Sequence, residues 1–445
     1  MFTPKVRLRR EFGLLSATVF GVSLIVGAGI YTIIGVATSV AGSGIWLSFL
    51  AAAIIALFTG LSYAELASMF PRTGASFVYV LEAFRNRLLG FVAGWLVMFE
   101  VMVSVAAIAL AFGGYLASVL PVPILISAFG VIAFFSLVNI IGIKESIRLN
   151  IMMFLMEIGG LLFIIAAGFL FGGIQMDFMD FTIPSIFGGA ALVFFAMIGF
   201  DMIAEETEET KDARRTIPKA IILSILICGV LYVLFAIAAL MLVGPELLGA
   251  STAPVKDIVV PLLGEYSYIF AFIALASTAN TVMICLITSS RLLYGISKER
   301  AIPGLFSKVN KRFSTPHFAI FLSFAVSVLF LLLADLAVVA EIANFAALAV
   351  FTMVNLSAIQ LRLEKPKAKR AFKIPFSIGR VPIIPVLGAL FSVFLISFLS
   401  ADVLVYGSLV LAAGAIVYLV QGRKKAPTEK TIEKKQELRE EAEKG

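Results

Sequence analysis

Four carboxylates interrupt otherwise apolar sequence. Glu100 stands in a run from 88 to 119, Glu157 in one from 146 to 172, Glu65 towards the end of one from 43 to 70, and Asp201 late in one from 184 to 208. A charged group in such surroundings is costly, so it marks a cavity, a proton relay or a bound cation, or else a protonated carboxyl held by a structural hydrogen bond. Glu100 and Glu157 sit near the middle of their runs, where the cost is greatest. Asp201 follows Gly199 by two positions, where it can cap a helix or face a cationic group. Glu65 belongs to a network nearer one surface.

Glycines are the second feature. Gly27-Ala28-Gly29 interrupts the run from 13 to 40, and Gly199 interrupts the run from 184 to 208, each about halfway along. Either they let helices pack closely, or they open two helices at matching depth and leave backbone N–H and C=O groups free for a ligand, as in carriers built from inverted repeats. Other chemistry is excluded by composition. One histidine, His317, and two separated cysteines, Cys228 and Cys285, supply no zinc site. No GxxxxGK[ST] run is present. The sequence therefore implies no metal and no cofactor, and it favours gradient-driven transport over pumps and enzymes.

The elements that position these groups follow from composition. Hydrophobic residues make up 61% of the 445 positions and charged residues 14%, against about 25% charged in soluble domains. Twelve stretches approach the roughly 20 apolar residues that cross a bilayer: 13–40, 43–70, 88–119, 122–142, 146–172, 184–208, 217–243, 265–297, 316–334, 336–361, 381–400 and 402–422. The expected fold is an all-α polytopic membrane protein. A net charge of +7 might suggest a nucleic-acid partner, but its distribution does not. With the N-terminus inside, every one of the 35 Lys and Arg residues except Lys256 falls on the inner side. That is the positive-inside pattern, with both termini cytoplasmic in the cell membrane and the lipid bilayer as the partner.

Several stretches together resemble the amino acid–polyamine–organocation superfamily, in its cationic-amino-acid-transporter-like branch. They are Gly27-Ala28-Gly29-Ile30-Tyr31, Ser62-Tyr63-Ala64-Glu65-Leu66 with Pro71-Arg72-Thr73-Gly74, Gly142-Ile143-Lys144-Glu145-Ser146, Gly199-Phe200-Asp201 with Arg215-Thr216-Ile217-Pro218-Lys219, and Arg291-Leu292-Leu293-Tyr294 with Ala301-Ile302-Pro303. The resemblance implies a five-plus-five inverted repeat with discontinuous helices 1 and 6, two added helices, and alternating access. In those terms a cytoplasmic N-terminus (1–12) precedes a first repeat (13–172), a second repeat (184–364), two further helices (381–422) and a charged cytoplasmic tail (423–445).

An amino acid brings a carboxylate and an ammonium, and a broken helix offers N–H groups for one and carbonyls for the other. The carbonyls of Ile25, Phe195 and Ala196 suit the ammonium. The resemblance carries the binding role to Gly27, Ala28, Gly29, Phe195, Ala196, Ile198 and Gly199. Ala28 stands where many relatives have Ser or Thr, which leaves recognition to the backbone. Phe195 and Phe200 flank the second break, as gates or as packing. At Glu157 proton-coupled relatives often carry a lysine. With the Thr288 and Ser289 hydroxyls and carbonyls of the first helix, Glu157 could bind sodium, or it could itself carry the proton. Glu100 is the other candidate for coupling.

On the cytoplasmic side, Arg215 and Arg291 either join an inner-gate network with the acidic run 205–209 or belong to a solvated turn. The expected function is secondary active transport of amino acids, most readily proton-coupled. Polyamine carriage, exchange and sodium coupling are the alternatives within carriers. A channel or receptor is the alternative outside them, and no selectivity signature supports it.

Overall fold

The computed structural model describes residues 13–27, 29–72, 74–141, 147–173, 180–298, 302–310, 313 and 315–421. Residues 1–12, Ala28, the 142–146 motif and the tail 423–445 lie outside them. Helix dominates because each stretch is apolar nearly all round its circumference, and a chain in a bilayer must satisfy its backbone internally. The helices are α1 (Leu14–Val26), α2 (Gly29–Ala41), α3 (Ile45–Met69), α4 (Ala75–Phe84), α5 (Arg87–Ala117), α6 (Ile124–Ile141), α7 (Ile147–Phe171), α8 (Ile183–Met197), α9 (Ala213–Ala250), α10 (Pro254–Leu263), α11 (Tyr268–Lys298), α12 (His317–Leu331), α13 (Leu336–Glu364), α14 (Ile383–Ile396) and α15 (Ala401–Gln421). Among the described residues, nine helical stretches are long and apolar enough to cross a membrane, and four further apolar helices are shorter. The protein is an all-α polytopic membrane protein.

Each of the twelve expected stretches contains one of these helices, or two where it is broken. The first divides into α1 and α2. The sixth stops at Met197 and continues as a 3₁₀ segment, Asp201–Glu209. The seventh runs longer than hydropathy indicates, to Ala250, and bends at Gly244 (φ 74°) just before Pro245, where proline removes a helical N–H. Two elements were not expected. α4 occupies the linker between the second and third stretches, and α10 the linker before α11. Both have only ten residues, too few for a hydropathy window. The one described sheet is a small hairpin, β1 (Ser377–Ile378) and β2 (Val381–Pro382), with Gly379 at φ 61° in its two-residue turn.

α5 is the central post. Its most apolar window is 89% buried inside the protein, against 17% for α15, which faces outward. α5 packs on α11, α13 and α6, and α3 packs on α9 and α8. The interior is therefore a helix bundle around α5 and the α1–α2 and α8 breaks.

Candidate functional site

The two broken helices lie against each other and run in opposite directions. A Cβ on Gly29 would come within 2.8 Å of the Ala196 Cα, and one on Gly199 within 3.0 Å of the Leu24 carbonyl. The same register continues on both sides, with Gly21 against Ile203 and Gly189 against Ala41. Glycine is favoured at 199 twice over: its φ of 118° is in the region L side chains avoid, and a Cβ would crowd the Leu24 backbone. Ile198 is extended (ψ 148°), which ends α8.

Polarity at this meeting point follows from the helix ends. The first N–H groups of α2 have no intrahelical acceptor, and the last carbonyls of α8 have no intrahelical donor. Gly29 and Ala196 put these two ends side by side. A carboxylate fits the first and an ammonium the second, with the helix dipoles favouring both placements. On the α1 side the carbonyls already have protein donors. Tyr232 Oη donates to the Ile25 carbonyl at 2.8 Å, and Ser277 Oγ to the Gly27 carbonyl at 3.1 Å. The α8 carbonyls are thus the freer of the acceptors assigned from sequence. Phe195 is buried beside them, as is Ala196.

Glu157 lies next to this backbone. It is 3% exposed, and its Oε1 is buried without a hydrogen-bond partner. The Ser277 hydroxyl is its polar neighbour on α11, and Tyr31 and Tyr232 are close enough to interact with its charge. Tyr31 Oη donates to the backbone carbonyl of Glu157 at 2.8 Å. Thr288 and Ser289 are not part of this group. They lie eleven or more residues beyond Ser277 on the same helix, roughly 16 Å away along its axis, and Ser289 Oγ is taken by the Leu286 carbonyl at 3.2 Å. Ser277 and Tyr232 are not evident from sequence: Ser277 is one of four polar residues between 277 and 281, and nothing in their spacing says which faces the break.

A pair of carboxyls, Asp201 and Glu100, sits past the other break. Asp201 accepts from its own loop, with Gly199 N–H donating to Oδ1 at 3.3 Å. Glu100 accepts from Ser104 Oγ at 3.1 Å and is close enough to Asp201 to interact with it electrostatically. Both are buried. Phe200 turns away from the break into an aromatic cluster with Tyr63 and Phe351, at centroid distances of 5.9 Å and 5.1 Å.

A buried ion cluster centres on Glu65. Arg362 reaches both its oxygens, Arg370 Nε donates to Oε1 at 2.8 Å, and the Ile374 N–H donates to Oε2 at 2.8 Å. Arg370 also donates to the Leu361 carbonyl in the last turn of α13, where the negative helix end welcomes a cation. Arg215, by contrast, is exposed and pairs with Asp212 at 3.9 Å. Arg291 is exposed and makes no ion pair among the described residues. The side chains of Glu205, Glu206, Glu208 and Glu209 lie outside the description.

Residues 12–420 match the sequence profile of the amino acid permeases. The chain belongs to the amino acid permease family. Relatives extend over nearly its whole length: a branched-chain amino acid permease of Bacillus subtilis is 33% identical over 94% of each chain, and a methylthioribose transporter of the same organism is 28% identical over 94% of each. A cationic amino acid transporter of Homo sapiens, number 4, is 30% identical over 82% of this chain and 61% of its own. The permease is thus a membrane transporter rather than an enzyme.

Proposed function

We propose that the permease carries amino acids across the cell membrane by alternating access, with protons coupled through Glu157. The observation that carries this reading is the buried, unpartnered Glu157 Oε1 beside the opened backbone of α1–α2. A carboxyl there can pick up a proton from one side and release it to the other, and its charge state is felt at the carbonyls next to the substrate. The zwitterion is held by the α2 N-terminus and the last carbonyls of α8. Support for a five-plus-five inverted repeat comes from packing: α1–α2 lies on α8, α3 on α9, α5 on α11 and α6 on α12, so each of the first four spans touches its counterpart five spans later. Both termini are cytoplasmic in this reading, following the placement of Lys and Arg.

The cargo favoured is a neutral, aliphatic amino acid, in keeping with a site built from backbone and apolar side chains and with the Bacillus branched-chain permease. The Asp201–Glu100 pair supports a second reading, in which a cationic side chain extends past the second break towards those carboxyls. Counterflow in proteoliposomes tests both. Preloaded leucine, isoleucine or valine should drive entry of radiolabelled leucine, and preloaded arginine, lysine or putrescine should not. Entry driven by the cations alone would exchange the two readings, and a non-saturable flux would reject a carrier. An imposed pH gradient, acid outside, should raise leucine accumulation, whereas a dependence on external sodium would replace the proton.

A further inference from the structure

On the side of the bundle opposite the Glu65 cluster, a cavity of ≈ 200 Å³ lies between α2, α5 and the start of α10, with Tyr31, Thr32, Tyr115, Ser251 and Thr252 among its lining residues. α10 is seated there by specific contacts. Lys256 Nζ donates to the Ser118 carbonyl at 3.1 Å, and Val255 N–H donates to Tyr115 Oη at 3.4 Å. Gly114, one residue before Tyr115, leaves no room for a Cβ because the Thr252 carbonyl occupies its place. Tyr115 Oη in turn donates to the Tyr31 carbonyl at 2.8 Å, and Tyr31 Oη donates to the Glu157 carbonyl at 2.8 Å. Both tyrosines are fully buried. One unbroken chain of contacts therefore runs from α10 through α5 and α2 to α7, at the residue next to the helix break. Beside it the Thr32 Oγ1 is buried with no partner, at the wall of the cavity.

We infer that Tyr115 and Tyr31 form a latch, by which the seating of α10 over the cavity fixes α2 against α7 at Glu157. Each hydroxyl spans two elements that the backbone alone does not tie together. With α10 lifted, Tyr115 loses its donor and the cavity wall at Thr32 is uncovered to water. With α10 seated, that wall is buried and the α2–α7 spacing is set. Tyr115 and Tyr31 act as positioning residues: they touch the backbone of the coupling residue and not its carboxyl. The consequence for transport rests on the reading of Glu157 given above, whereas the latch itself is tested without transport.

The test uses full-length protein purified in detergent, with Cys228 and Cys285 replaced by alanine and Thr32→Cys as reporter. The rate of labelling by a water-soluble maleimide measures opening of the cavity. Tyr115→Phe and Tyr31→Phe each remove one hydroxyl and should speed labelling about 5-fold, the effect of one net hydrogen bond of ordinary strength. Because the bonds act in series, the double variant should label no faster than the faster single one. Gly114→Ala provides an independent route, since its methyl group would meet the Thr252 backbone and prop that loop away with both tyrosine hydroxyls retained. It should speed labelling to the same degree, and Tyr115→Phe added to it should have no further effect. Unchanged labelling in Tyr115→Phe with an unaltered melting temperature would overturn the latch. So would multiplying effects in the double variant, which would make the two hydroxyls independent.

Discussion

At the scale of single residues, Glu157 is the proposed point of proton coupling. Its depth in an apolar stretch made it legible from sequence, because a carboxylate there stands out against everything around it. What surrounds it was not legible. Ser277, Tyr31 and Tyr232 are ordinary members of apolar helices until folding brings their hydroxyls to the carbonyls of Gly27, Glu157 and Ile25. Thr288 and Ser289 are the hydroxyls that the sequence suggests, and the register of α11 brings Ser277 to Glu157 instead. The Glu157→Gln variant follows directly. Glutamine imitates the protonated carboxyl, so exchange of internal for external amino acid should survive at near parental rate, while accumulation driven by an acid-outside gradient should fall to the equilibrium level. If sodium were bound instead, exchange itself would lose its sodium dependence. Unchanged uphill uptake would reduce Glu157 to a structural group and move attention to Glu100.

At the scale of elements, the two breaks were readable as glycines at matching depth, but their mutual contact was not. Sequence gives the position of an interruption along its own helix and nothing about what it faces. The observed register, Gly29 on Ala196 and Gly199 on Leu24, makes the substitutions unequal. Gly199→Ala must adopt a left-handed φ against a carbonyl, and should lower stability by about 1–3 kcal/mol, seen as a reduced melting temperature along with slower uptake. Gly29→Leu has an unstrained backbone but no space between α2 and α8. It should abolish uptake and ligand-induced thermal stabilisation. Near-normal leucine uptake in Gly29→Leu would show that the α2–α8 junction is packing and not a binding surface. The short helices α4 and α10 are hidden for a plainer reason: ten residues between two long apolar runs read as a connection.

At the scale of the whole molecule, the placement of charge predicts which face is which. Tyr266 and Ile378 are 74% and 76% exposed, on opposite sides in the proposed topology. With the native cysteines removed, Tyr266→Cys should react with an impermeant maleimide on intact cells, and Ile378→Cys only in inverted vesicles. Reaction of both from one side would invalidate the twelve-span arrangement. The face proposed to be the inner one is also where the molecule is pinned. Glu65, Arg362 and Arg370 are all at least 95% buried. Glu65→Gln leaves two buried guanidinium groups without their shared counter-charge, at a cost of about 3–5 kcal/mol, measurable as a large drop in melting temperature. The partners in this cluster are 297 and 305 residues apart in sequence, which gives it a meaning in time as well as space. At roughly 5–20 residues per second, the ribosome needs about 15–60 s after making Glu65 to deliver Arg362. For that interval the second span carries an acid whose partner does not yet exist. A nascent chain halted before Arg362 should therefore be cleared quickly by membrane proteases. One halted after Ile374, with the cluster complete, should persist, and pulse-chase of the two truncations would measure how much of the protein's survival during synthesis depends on one late-arriving arginine pair.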